Sequence, residues 1–142
     1  MILLDTNIIS EALKTARDQS VLAWLDAQMI ETLYLSTISL AEIRFGIAVL
    51  PDGKRRDTLH STFEQRVLPL FSERILPFNE AASQFYAILR SRARASGLAI
   101  ATADGYIAAI AAANNFAVAT RDTSPFAAAG LKVINPWKSF GN

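Results

Sequence analysis

The sequence predicts an α/β domain built on a mainly parallel sheet. Three observations carry that reading. Short apolar runs such as Ile2-Leu3-Leu4 and Phe116-Ala117-Val118-Ala119-Thr120 lack polar alternation, as strands covered on both faces do. Stretches of helical period lie between the apolar runs. Strand and helix signals alternate along the chain, the order of a layered α/β fold. The 142 residues suit one domain, expected over 1–142, with no internal repeat, low-complexity linker or boundary.

The elements follow in order. Ile2-Leu3-Leu4 is the first strand, and Asp5-Thr6-Asn7 supplies helix N-caps for Ile8, Ile9, Ala12 and Leu13 at helical spacing. A second helix is expected from about Asp18 to Met29, with Val21, Leu22, Trp24 and Leu25 on its apolar side. Leu33-Tyr34-Leu35-Ser36 reads as a strand. Ser39-Leu40-Ala41-Glu42 has the form of a capping box opening a helix to about Leu50. Pro51-Asp52-Gly53 is a turn. A charged helix is expected over 54–71, striped by Leu59, Phe63, Val67 and Leu70. Ile75 to Phe78 is extended, and Asn79 caps a helix carrying Arg90, Arg92 and Arg94 toward its negative end, with Gly97 as its stop. Thr102 is the expected cap of an alanine-rich helix ending near Asn114-Asn115. The strand 116–120, a short helix or turn near 124–129 and a last strand over 132–134 complete the chain.

Composition excludes several classes. A 51% apolar content excludes intrinsic disorder, and zero cysteines exclude disulfides, thiolate zinc sites and cysteine nucleophiles. Asp5 interrupts the apolar start too early for a signal peptide. No stretch reaches the ~18–20 apolar residues of a membrane span, so a cytoplasmic, membrane-free protein is expected. The net charge of +1 conceals an asymmetry: residues 1–80 balance at −3 and residues 81–142 at +4. The second half has only two acids, Asp104 and Asp122.

In open parallel sheets, ligands bind beyond the carboxyl ends of the strands. Asp5 and Asp122 follow strands, and Glu42 and Asp104 sit in first turns of helices, so all four are expected at one edge. Each also has a local role open to it. Asp5 could cap its helix, Glu42 could answer Ser39 in the capping box, Asp104 suits the helix dipole, and Asp122 could open a turn. Together they suggest more. Clustered carboxylates repel and partly protonate unless a cation intervenes. An oxygen-rich site with a single histidine in the chain favours Mg²⁺ or Mn²⁺ over Zn²⁺. Such ions can activate a water and stabilise the leaving oxygen of a phosphodiester. Other chemistries fit less well. His60 lies on the charged helix without a placed partner for a triad, no glycine-rich phosphate loop occurs, and Asn7 replaces the second acid of an Asp-x-Asp phosphohydrolase.

Five segments in order resemble the PIN-domain ribonucleases, in particular the VapC/FitB-like toxins. They are Ile2 to Ile9, Ser39 to Gly46, Ala103 to Ala109, Ala119-Thr120-Arg121-Asp122, and Val133-Ile134-Asn135-Pro136-Trp137. The resemblance covers essentially the whole chain. It implies an α/β/α sandwich and a Mg²⁺- or Mn²⁺-dependent endoribonuclease of a type II toxin–antitoxin pair. Asp5, Glu42, Asp104 and Asp122 would be its catalytic, metal-holding acids, with Thr6, Asn7 and Thr120 supporting them. It further implies a homodimer and a cognate antitoxin that packs on the toxin, obstructs the acids and carries the complex to operator DNA. Arg90, Arg92, Arg94 and Arg121 are candidates to contact RNA phosphates, and Arg90, Arg92 and Arg94 also fit a solvated helix end. Two departures stand out. Thr102 occupies a position where many relatives have proline, and Pro125-Phe126 replaces an Asp-Phe pair, so the fourth acid rests on Asp122 alone. The second reading is therefore a weakly active or inactive module serving mainly in an operator-binding complex, its partner lying in apolar grooves beside the helices from Asp18 and Lys54.

Overall fold

The computed structural model describes residues 1–138, so the last four residues of the expected 1–142 domain lie outside the described residues. The elements are β1 (Ile2–Leu4), α1 (Thr6–Leu13), α2 (Gln19–Ala27), β2 (Leu33–Ser36), α3 (Thr37–Ala48), α4 (Lys54–Thr62), β3 (Ile75–Leu76), α5 (Glu80–Ala95), α6 (Thr102–Asn114), β4 (Ala117–Ala119), α7 (Thr123–Ala128) and β5 (Val133–Ile134). The strands form one sheet in the order β3-β2-β1-β4-β5, and every pairing is parallel. The sheet is thus wholly parallel where the sequence predicted mainly parallel.

The unalternated strands have the reason expected of them. Leu3 and Val118 enter one apolar layer with Ile107, Ile110 and Phe126, contributed by α6 and α7. Leu4 and Ala119 enter the opposite layer with Ile8, Trp24, Ile43 and Phe63. Adjacent residues on a strand face opposite sides, so a sheet packed on both needs apolar side chains at every position. The result is the expected α/β/α sandwich.

Three local expectations are corrected. Ser36, not Ser39, caps α3: its Oγ accepts the Ser39 N–H at 3.0 Å. β2 runs into α3 without a loop, so the helix begins earlier and Glu42 falls in its second turn. Thr102 is the first helical residue of α6, and Ala101 at the N-cap makes no side-chain bond. Asp104, in that first turn, complements the positive end of the helix instead. The helix expected over 54–71 is α-helical only to Thr62. It widens into a π turn over Phe63–Val67 and tightens to a 3-10 turn over Leu68–Phe71, where Pro69 has no N–H to continue the ladder.

Other signals read true. Asp18 caps α2, its Oδ1 accepting the N–H groups of Ser20 at 2.8 Å and Val21 at 3.2 Å. Gly97 ends α5 at φ 75°, with Leu98 N–H on the Ala93 carbonyl and Gly97 N–H on the Arg94 carbonyl, a Schellman arrangement. Among the described residues, no helix is long and apolar enough to cross a membrane.

Candidate active site and partner groove

The topology collects the four acids. Asp5 stands immediately after β1 and Asp122 three residues after β4, both at the carboxyl edge of the sheet. α3 departs from that edge after β2 and carries Glu42. α6 runs down to feed β4, so its start, with Asp104, lies at the same edge.

Asp5 is the buried member of the set, 5% exposed. Its Oδ1 accepts the Thr6 N–H at 2.8 Å and its Oδ2 accepts the Thr120 hydroxyl at 2.8 Å, with Asn7 Nδ2 at 3.4 Å. It therefore caps α1 and serves the edge at once. Burial pushes its carboxyl up to about 6. The Thr120 and Thr6 hydrogen bonds oppose the shift, and the charges of Asp104 and Glu42 add to it. The Asp104 carboxyl is also raised, first by burial and then by Asp122 and Glu42. The four acids thus lie in one another's fields.

Hydroxyls fix their surroundings. Thr6 Oγ1 lies 2.6 Å from Glu42 Oε1 and 3.0 Å from Ser39 Oγ, and Ser36 Oγ lies 3.4 Å from Ser39 Oγ. Thr6 has one proton to give. The shorter contact assigns it to the carboxylate, leaving Ser39 to donate to Thr6 and Ser36 to Ser39. Thr120 Oγ1 accepts the Asp122 N–H at 3.1 Å, and Asn7 Oδ1 accepts the Arg121 N–H at 3.3 Å. Thr6, expected to support Asp5, does so with its backbone and serves Glu42 with its side chain. Ser36 and Ser39 were missed as site residues, although a run of small hydroxyls between strand and helix was their signal. Thr6→Val should keep the fold and lower site activity by about 10–100-fold, as loss of an outer hydrogen-bond partner does. Comparing turnover with thermal midpoints checks this.

No ion pair among the described residues includes any of the four acids. The three ion pairs among the described residues join Lys14 to Glu11, Arg44 to Glu64 and Arg56 to Asp52. An uncompensated set of hard oxygen donors, one of them buried and raised, fits a divalent cation. Among the described residues, no three Asp, Glu, His or Cys side chains are placed to hold an ion directly. Hard carboxylate oxygens suit Mg²⁺ or Mn²⁺, which take one or two carboxylates and keep several waters. Asp5, Glu42, Asp104 and Asp122 are the residues that would hold it.

The sign of the pH effect follows. Asp5 has a folded-state value near 6 against an ordinary 3.8, so the fold favours its protonated form. That stability is fully present below about pH 3.8 and is lost as pH rises through about 6. Glu11 and Glu64 are held below their ordinary 4.5 by hydrogen bonds from the Asp18 backbone and Arg44, and they act in the opposite sense at lower pH. Metal-free protein should therefore lose about 1–2 kcal/mol between pH 5 and 7. Denaturation in EDTA checks this, and added Mn²⁺ should restore the loss above pH 6.

A groove of about 1040 Å³ leads away from Glu42. Leu13, Ile43, Ile47, Leu50 and Leu59 give it an apolar lining, and Lys14, Lys54 and Arg55 add positive charge. It lies among α1, α3 and α4. The helix from Lys54 borders it as expected, and the helix from Asp18 does not. Of the four candidate arginines, Arg92, Arg94 and Arg121 are exposed and Arg90 is half-buried. His60 is exposed.

The PIN domain model matches residues 2–131. The chain is 59% identical over 138 residues to the VapC ribonuclease Y4jK of Sinorhizobium fredii (strain NBRC 101917 / NGR234), covering 97% of this chain and 99% of that relative. It is 53% identical over 137 residues to toxin FitB of Neisseria gonorrhoeae (strain ATCC 700825 / FA 1090), with 96% and 99% covered. A solved structure of FitAB bound to an IR36 DNA fragment matches with a TM-score of 0.96 at 51% identity. That match covers 100% of this chain and 99% of that one.

Proposed function

Because this chain belongs to the PIN-domain family, we propose that it is the endoribonuclease toxin of a type II toxin–antitoxin pair, hydrolysing RNA phosphodiester bonds with Mg²⁺ or Mn²⁺. The observation that carries this is the uncompensated acidic edge. Asp5 is raised by burial, Asp104 and Glu42, Asp104 by burial, Asp122 and Glu42, and no ion pair among the described residues includes either. When bound, the metal supplies Lewis-acid stabilisation of phosphate charge and a water made more nucleophilic. The chain does the rest. Asp5 is held in one orientation by Thr6 N–H and the Thr120 hydroxyl, and Glu42 by the Thr6 hydroxyl. Asp104 and Asp122 stand at helix starts without a side-chain capping bond, which leaves their carboxylates available.

The partner reading rests on the groove and on the relatives. A segment of the cognate antitoxin lies among α1, α3 and α4 and ends near Glu42, where it obstructs the acids. FitAB was solved on a DNA fragment, and this likeness supports operator DNA as a target reached through the antitoxin. Phe45 on α3 and Val49 at its C-cap, 69% and 62% exposed, supply apolar area for assembly as a homodimer and a toxin–antitoxin hetero-oligomer. The site of action is the cytoplasm, and the whole chain acts as one PIN domain.

Antitoxin-free protein should cleave single-stranded RNA in Mg²⁺ or Mn²⁺ and stop in EDTA. Full operator binding by the complex, with no RNA turnover at any divalent-ion concentration, would favour the weakly active or inactive module instead.

A further inference from the structure

We propose that Arg90, its stem packed on Gly105 next in sequence to Asp104, is an RNA-phosphate contact held in its binding orientation by Tyr86; this rests on the ribonuclease reading above. Arg92 and Arg94 lie exposed in the last turn of α5, where the helix dipole accounts for them. Arg121 lies over the Trp137 ring at 5.3 Å. Its charge also adds to the Asp18 and Lys14 hydrogen bonds that lower the Glu11 carboxyl. Arg90 is placed differently. Its Nη1 donates to Tyr86 Oη at 2.6 Å, and its guanidinium carbon lies 5.4 Å from the centre of the same ring. Tyr86 stacks on Tyr106 at 4.8 Å and 28°, and Tyr106 packs on Phe78 at 4.8 Å, so the platform under Arg90 is itself fixed.

Gly105 lets this side chain pack closely on α6. A Cβ at that position would lie 3.0 Å from Tyr86 Cε2 and 3.2 Å from Arg90 Cδ. The missing side chain lets the Arg90 stem pack on α6 one residue from Asp104 without displacement. No ion pair among the described residues includes Arg90. Tyrosine is a neutral acceptor and leaves the cation's full charge available. A guanidinium fork held against a ring suits the oxygens of a phosphate, and fixing it beforehand reduces the ordering that RNA binding requires.

The test is binding of a fluorescent single-stranded RNA oligonucleotide in EDTA, read by anisotropy at several salt concentrations. Arg90→Gln should weaken binding about 3–10-fold and reduce the salt slope by about 0.7, the value of one lost phosphate contact on a single strand. Arg90→Lys should keep the slope. Tyr86→Phe should keep the slope and weaken binding about 2–3-fold, because the ring and charge remain and the orienting hydroxyl is gone. In Mg²⁺, Arg90→Gln should raise KM at unchanged kcat. Parental affinity and slope in Arg90→Gln would overturn the assignment alone, as would an equal slope change in Arg92→Gln. Absence of RNA binding and cleavage in the parent would overturn the ribonuclease reading with it.

Discussion

Asp5→Asn should abolish RNA cleavage and at the same time stabilise the metal-free protein. Both effects come from one buried carboxylate. The fold holds Asp5 at 5% exposure with its carboxyl raised to about 6, so at pH 8 it carries an ionised group that it disfavours. A shift of that size corresponds to about 3 kcal/mol. Asparagine keeps an oxygen for the Thr6 N–H, and its amide can donate to Thr120, whose hydroxyl also accepts. The thermal midpoint in EDTA at pH 8 should therefore rise by several degrees. Activity should fall more than about 100-fold, beyond the loss expected for an outer partner such as Thr6. Mn²⁺ should raise the midpoint of the parent and leave that of the variant nearly unchanged. A variant that is both less stable in EDTA and still active would contradict the assignment of Asp5.

Phe126→Ala should be the most damaging core change. Phe126 is fully buried in the layer built by α6 and α7 against Leu3 and Val118. Truncating a buried phenylalanine costs about 3–5 kcal/mol through lost burial and the cavity left behind. Its helix begins at Asp122, so loosening α7 also loosens the hold on the fourth acid. Denaturant unfolding should show a lower midpoint, and turnover of the remaining folded protein should fall as well. A change below about 1 kcal/mol would mean that the layer collapses around the vacancy.

The legible parts of this molecule were those set by short-range chemistry. Leu3 and Leu4 announce a strand buried on both faces, and they enter opposite layers. Asp18 and Gly97 mark a helix start and stop by capping geometry, and both hold. Asp5 and Asp122 were placed at the carboxyl edge because they follow parallel strands, and both lie there. Glu42 was placed at the same edge despite a misplaced cap. The Ser-x-x-Glu pattern fits a capping box, but Ser36 lies closer to the strand end and takes the role, which frees Glu42 for Thr6. The hydroxyl series from Ser36 to Thr6 and the stack of Phe78, Tyr106 and Tyr86 were not legible. They depend on residues distant in sequence meeting in three dimensions, which no local pattern encodes. The small residues of α6 were the sequence mark of its close packing, and Gly105 is where Tyr86 and Arg90 come nearest to it.

Asp104 tests the central claim most directly. It is part-buried, raised by burial and by Asp122 and Glu42, and forms no ion pair among the described residues. The measurement is cleavage of defined single-stranded RNAs by antitoxin-free protein, parent against Asp104→Asn, in Mg²⁺ and in EDTA. The expected result is cleavage by the parent in Mg²⁺ alone and a loss of more than about 100-fold in the variant, with its fold intact. Asp104→Asn cleaving as fast as the parent, or a parent equally active in EDTA, would contradict a metal-holding acidic edge as the seat of the chemistry.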